Sequence, residues 1–144
     1  MNLMIYTDGG ARGNPGPAAI GVVVTDEGGT MLATYAKPIG LSTNNMAEYS
    51  AVVEALTMLK EPVFQKVEKI TFVLDSTLVV NQLNGLFKIK NPDLRQKLLM
   101  IRNLENTRTT PIIYTHVLRQ KNHIADGLVN QALDNDKEYF WIKQ

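Results

Sequence analysis

Leu3-Met4-Ile5-Tyr6-Thr7-Asp8-Gly9-Gly10 decides the fold, because an almost unbroken apolar run stops on an acid and two glycines. A run without polar alternation suits a strand covered on both faces, so residues 3–7 are expected at the centre of a sheet. Working outward, Ala18 to Thr25 and Met31 to Ile39 read as two further strands. The short loop Asp26-Glu27-Gly28-Gly29 joins them, which makes the first third of the chain an antiparallel meander. The pattern then changes to helical spacing from about Asn45 to Lys60, with Ala51, Val52, Ala55, Leu56 and Leu59 on the apolar side and Pro62 as the stop. Val67 to Leu74 returns to strand, and Thr77 to Leu83 reads as a short helix closed near Gly85. Pro92 suits the opening of a helix that runs to about Asn106. Ile112 to Leu118 is the last predicted strand, and Asn122 to about Asn135 the last long helix. This order predicts an α/β fold with a five-stranded mixed sheet, the meander at one side, right-handed parallel crossovers at the other, and helices on both faces. The tail Tyr139-Phe140-Trp141-Ile142 follows a polar stretch and is expected to fold back onto the body.

At 144 residues and 44% hydrophobic content, the chain is expected to form one domain over residues 1–144 and to act as a monomer. A domain of this size removes about 70% of its unfolded surface from water. With no cysteine, disulfides and thiolate metal sites are excluded and a cytoplasmic location is compatible; two histidines argue against a histidine-rich metal site. The opening residues lack a basic n-region, and no apolar run is long enough to span a bilayer, so no membrane partner is expected. A net charge of +1 hides an asymmetry. Residues 86–121 hold eight Lys/Arg against two acids, whereas the rest of the chain holds seven against twelve. The basic stretch suits either a solvated helix face or a surface that contacts phosphates.

Asp8, Glu48, Asp75 and Asp126 each sit where a carboxylate can be a routine helix or turn residue or a metal ligand. Asp8 before Gly9 is a frequent turn pair, yet it also ends the most apolar strand, at the sheet edge where α/β proteins place ligands. Glu48 has capping-box spacing from Asn45, yet it shares a stripe with Val52, Ala55 and Leu59, which points it toward the sheet. Asp75 follows the run Ile70 to Leu74 and could be an N-cap; Asp126 lies in the first turns of the last helix, where an acid complements the dipole. Four carboxylates converging on one edge would push one another toward protonation unless divalent cations intervene. Hard oxygen ligands from separate elements suit two Mg²⁺ or Mn²⁺ ions, the arrangement that serves phosphoryl transfer.

Tyr6 to Pro17 (Tyr6-Thr7-Asp8-Gly9-Gly10-Ala11-Arg12-Gly13-Asn14-Pro15-Gly16-Pro17), Thr43-Asn44-Asn45-Met46-Ala47-Glu48-Tyr49, Leu74-Asp75-Ser76 and Asn122-His123-Ile124-Ala125-Asp126 together resemble, in order, the motifs of the type 1 ribonuclease H family. The resemblance implies the ribonuclease H-like fold and Mg²⁺-dependent endonucleolytic cleavage of the RNA strand of RNA–DNA hybrids, leaving 3′-hydroxyl and 5′-phosphate ends. It makes Asp8, Glu48, Asp75 and Asp126 the metal-binding catalytic set. Asn14, Asn44 and Asn45 match positions that contact the hybrid across its minor groove, where amides suit 2′-hydroxyls and base edges. Thr43 matches a phosphate-contacting threonine, with a helix N-cap as the structural alternative.

Three departures from the family pattern bear on substrate handling. Thr77 stands where well-known bacterial members carry a glutamine. Arg119 stands near the position of their catalytic-loop histidine, and an arginine there would act by charge on the phosphate or product rather than shuttle a proton. The segment Gly85 to Pro92 is too short for the basic handle, which places the chain near a compact branch and leaves Lys88 and Lys90, with Arg95, as candidates for gripping the duplex. Two alternatives stay open at this point: a non-catalytic nucleic-acid-binding module on the same fold, and a nuclease that also accepts double-stranded RNA.

Overall fold

The computed structural model describes residues 1–144 and builds a mixed sheet in the order β5-β4-β1-β2-β3-β6. Strands β1 (Asn2–Ala11), β2 (Gly16–Asp26) and β3 (Met31–Ser42) form the expected antiparallel meander. After helix α1 (Asn44–Met58) the chain re-enters the sheet beside β1 as the parallel strand β4 (Lys69–Leu74). Helices α2 (Thr77–Leu83) and α3 (Pro92–Glu105) then lead to β5 (Ile112–His116), which is parallel to β4 at the edge of the sheet. Residues 84–91 connect α2 to α3 with no further helix. Helix α4 (His123–Asn135) crosses the opposite face.

The predicted sheet was one strand short. Residues Tyr139–Ile142 form β6, antiparallel to β3 from Ala33↔Ile142 to Ala36↔Tyr139. Asp136, in the left-handed conformation at φ 46° and ψ 52°, ends α4 and turns the chain back. Phe140 then meets Tyr35 edge to face at 5.5 Å between ring centroids. Four residues are too few for alternation to separate a strand from an apolar tail, so the pairing was not visible without β3 beside it.

The two faces of the sheet are unequal. On the α1 side, 27 buried residues form one cluster that includes Leu3, Ile5, Tyr49, Phe64 and Phe72, with α3 packed on α1 behind it. On the α4 side the buried cluster is only Ala19, Ala36, Val129 and Ala132. Small side chains let α4 lie close to the strands, and that closeness sets the site.

Candidate active site

The site arises from a step in the sheet. Strands β1 and β4 share rungs from Asn2↔Lys69 to Tyr6↔Val73, but β1 runs on to Ala11 while β4 ends at Leu74. Asp8 is therefore within β1 rather than at its end, two residues past the last shared rung, and Asp75 is the first residue after β4. On its other side Asp8 pairs with Gly21 of β2.

Two glycines bring helices onto this point from both faces. A Cβ at Gly9 would collide with the backbone of Ala47 and Glu48, so only glycine lets α1 settle on β1 there. A Cβ at Gly21 would collide with the carbonyl of Ala125, so α4 approaches β2 on the opposite face. Glu48 and Asp126 thereby reach Asp8 from opposite sides of one strand.

Oxygens of Asp8, Glu48 and Asp75 all lie within 4.8 Å of one another. Asp126 joins them around an open cleft of about 300 Å³ that Asn44 and Arg119 also line. Asp8 is 5% exposed and Glu48 7%. Glu48 Oε1 accepts from the Gly9 N–H at 3.4 Å, whereas Oε2 is buried with no partner. The capping alternatives for Glu48 and Asp75 are taken by neighbouring side chains. Thr43 caps α1, its Oγ1 accepting from Met46 N at 3.2 Å, and Ser76 caps α2, its Oγ accepting from Val79 N at 3.2 Å. Neither Glu48 nor Asp75 caps its helix, and Asn45 forms no capping box with Glu48.

Burial pushes the Asp8 carboxyl up to about 7, partly offset by the adjacent Glu48 carboxyl, with further upward pressure from the Asp75 and Asp126 charges. Burial, then the Asp8 charge, holds Glu48 well above the carboxylate range. A carboxylate with an orphaned buried oxygen, gathered with two more acids that are all hard oxygen donors, fits a divalent cation. The cluster also has a thermodynamic sign. An acid whose pKa is higher in the folded state stabilises the fold most fully below its unfolded value, and that stability is lost as pH rises through the folded value. Metal-free protein is thus expected to lose stability between pH 5 and 8. Asp8→Asn should flatten that loss and raise the melting temperature at pH 8 by roughly 6 °C, for about 2 kcal/mol recovered. Thermal unfolding in chelator at the two pH values checks it; an unchanged or lower melting temperature in the variant would contradict the buried-charge account.

Asn14 Oδ1 accepts from Asn44 N at 3.0 Å, and Asn44 Oδ1 accepts from Ala11 N at 2.9 Å, so this pair stitches the β1–β2 loop to the start of α1 beside the cleft. Arg119 is exposed on a 3₁₀ turn, with its guanidinium 3.9 Å from Asp126. Asn45 and Thr77 are exposed in the first turns of α1 and α2. Lys88 and Lys90 do not line the cleft; they flank Ile89, which is buried while both lysines are exposed. Arg95 Nε donates to the Ile89 carbonyl at 2.6 Å and so holds this segment in place. His116 ends β5 and His123 opens α4, both exposed. Asn122, at the head of the last motif, has a place that spacing alone does not show: it is buried between Thr7 and Asp75. Its place before α4 was legible, but its two partners lie far along the chain.

A family model described as reverse transcriptase-like matches residues 6–132. The ribonuclease HI of Halobacterium salinarum is 42% identical over 130 residues, covering 90% of this chain and 63% of that protein. A bifunctional protein of Mycobacterium tuberculosis is 39% identical over 135 residues, 93% of this chain but 36% of its own length. The chain therefore spans less than two thirds of either relative. Among solved structures, LC11-RNase H1, isolated from compost by a metagenomic approach, superposes with a TM-score of 0.88 at 43% identity, over 94% of this chain and 97% of that one. Its complex with an RNA/DNA hybrid superposes at 0.89, with 43% identity over 93% and 98% of the two chains. With the sheet order, the acid cluster and these likenesses in agreement, the chain belongs to the type 1 ribonuclease H family.

Proposed function

We propose that residues 1–144 act as a metal-dependent endoribonuclease that hydrolyses the RNA strand of RNA–DNA hybrids, leaving 3′-hydroxyl and 5′-phosphate ends. The observation that carries this reading is a buried, unpartnered oxygen, Glu48 Oε2, on a carboxylate that gathers with those of Asp8 and Asp75 at an open cleft. Asp8, Glu48, Asp75 and Asp126 would hold the cations, Mg²⁺ or in its place Mn²⁺. Two such ions would supply Lewis-acid stabilisation of the attacking and leaving oxygens of the phosphodiester.

The chain's own residues do the rest. Because the Oδ1 atoms of Asn14 and Asn44 already accept backbone N–H groups, their Nδ2 groups are left to donate toward 2′-hydroxyls and base edges. Asn45, beside Asn44 on the same exposed turn, adds a third amide. Thr43 caps α1 through an oxygen lone pair, which leaves its hydroxyl proton for a phosphate. Thr77, without an amide, supplies at most a single hydroxyl. Arg119 holds positive charge over the cleft mouth beside Asp126, suited to a phosphate or to departing product. Lys88 and Lys90 sit on a pinned segment outside the cleft and would meet the duplex backbone as exposed charges.

A hybrid with end-labelled RNA, incubated with Mg²⁺, with Mn²⁺ or with EDTA, tests the proposal. Internal cuts in the RNA strand are expected with either metal and none in EDTA. Duplex binding that persists in EDTA with no cleavage in either metal would replace the enzyme by a binding module. A matched double-stranded RNA in the same assay decides whether 2′-hydroxyls on both strands are accepted.

A further inference from the structure

Asn122 is 1% exposed and bridges three elements at the carboxylate cluster. Its Nδ2 donates to the Thr7 carbonyl of β1 at 2.9 Å and to Asp75 Oδ2 at 3.3 Å. Both partners are acceptors only, so the nitrogen and not the oxygen of the amide must face them. The Oδ1 atom is left buried and unpartnered. A buried acceptor without a partner costs stability, so what this side chain contributes lies in what its nitrogen holds.

Asp75 needs a holder. No other side chain hydrogen-bonds to it, and the neighbouring Asp8 and Glu48 carboxyls repel it whenever they are charged. Left alone, its side chain would turn out to solvent. We propose that Asn122 is a positioning residue that holds the Asp75 carboxylate toward Asp8 and Glu48, so that the cluster is set for a divalent cation before one arrives. The inference rests on the metal-site reading above and adds a residue to it. One oxygen of Asp75 is engaged by Asn122, leaving the other for the cation, as partners behind a metal site commonly arrange.

The test is Mn²⁺ binding by calorimetry to chelator-treated protein, wild type beside Asn122→Ala. The variant is expected to bind Mn²⁺ about 10- to 100-fold more weakly and to need correspondingly more Mn²⁺ for half-maximal cleavage. At saturating Mn²⁺ its KM for hybrid should stay within about twofold of wild type, because duplex contacts are untouched. A Kd within about twofold of wild type alongside a lowered melting temperature would overturn the proposal and leave a structural residue only. Wild-type protein that binds no Mn²⁺ would overturn the metal-site reading, and the proposal with it. If Asn122→Ala does not fold, amide spectra of wild type and Asp75→Asn decide instead. The Asn122 side-chain NH₂ signals are expected to move in Asp75→Asn, and unmoved signals would overturn the proposal.

Discussion

Asp75→Asn is expected to lower Mg²⁺-dependent cleavage of a labelled hybrid by roughly 10³-fold or more, equivalent to about 4 kcal/mol of transition-state stabilisation, while the protein stays folded. The size of the loss follows from how the substituted residue would sit. Asn122 offers a donor to one oxygen of residue 75, and an asparagine there satisfies it by turning its carbonyl oxygen that way. Its amino group then points toward Asp8 and Glu48, where a cation ligand is required. The substitution thus removes a negative charge and presents N–H donors in its place, and excess Mg²⁺ should not rescue activity. Stability should hold, because residue 75 is only half-buried and the cap of α2 belongs to Ser76. Circular dichroism and a gel assay check both halves. Wild-type cleavage by folded Asp75→Asn would remove this carboxylate from the reaction, and with it the account of why the three oxygens meet.

Much of this architecture could be read along the chain, and the parts that could not share a cause. The apolar run before Asp8, the glycine-containing hairpin loop and the helical spacing after Asn45 are local patterns, and the meander and all four helices follow them closely. Convergence of the acids was also legible, since Asp8 follows an apolar run, Asp75 stands where a strand stops and Glu48 lies on the inward stripe of a helix, although β1 runs on past Asp8 to Ala11. What escaped was anything fixed by a residue distant in sequence. The strand at Tyr139–Ile142 exists because β3 offers an edge to pair with. One local choice stood open along the chain, Asn45 in a capping box with Glu48 or Thr43 as the N-cap, and Thr43, two residues earlier, takes it. Asn122 reads as a helix-start residue, and only the fold brings it to Thr7 and Asp75. Lys88 and Lys90 read as candidates for gripping the duplex, and only the fold shows that Ile89 between them is buried in the core while neither lysine lines the cleft.

Gly9→Ala is expected to damage both the fold and the site. The new Cβ would occupy the position of the Ala47 carbonyl and the Glu48 nitrogen, backbone atoms at the centre of the α1–β1 packing that no side-chain rotation can clear. Either α1 lifts from the sheet or β1 buckles, at a cost of roughly 3 kcal/mol, the upper range for overpacking a tight core. The Gly9 N–H that holds Glu48 Oε1 moves as well, so Glu48 leaves its place against Asp8. A displacement of about 1 Å at a reacting centre costs around 10²-fold, so folded Gly9→Ala should lose activity along with stability. Gly127→Ala serves as the opposite case. Gly127 lies inside α4 with nothing within 4 Å of the added carbon, so the lower backbone entropy of alanine should stabilise by about 0.5–1 kcal/mol. Urea unfolding of both variants separates the effects. If Gly9→Ala unfolded at the wild-type midpoint, the close seating of α1 on β1 would be wrong. The geometric reason that Glu48 reaches Asp8 at all would then be lost.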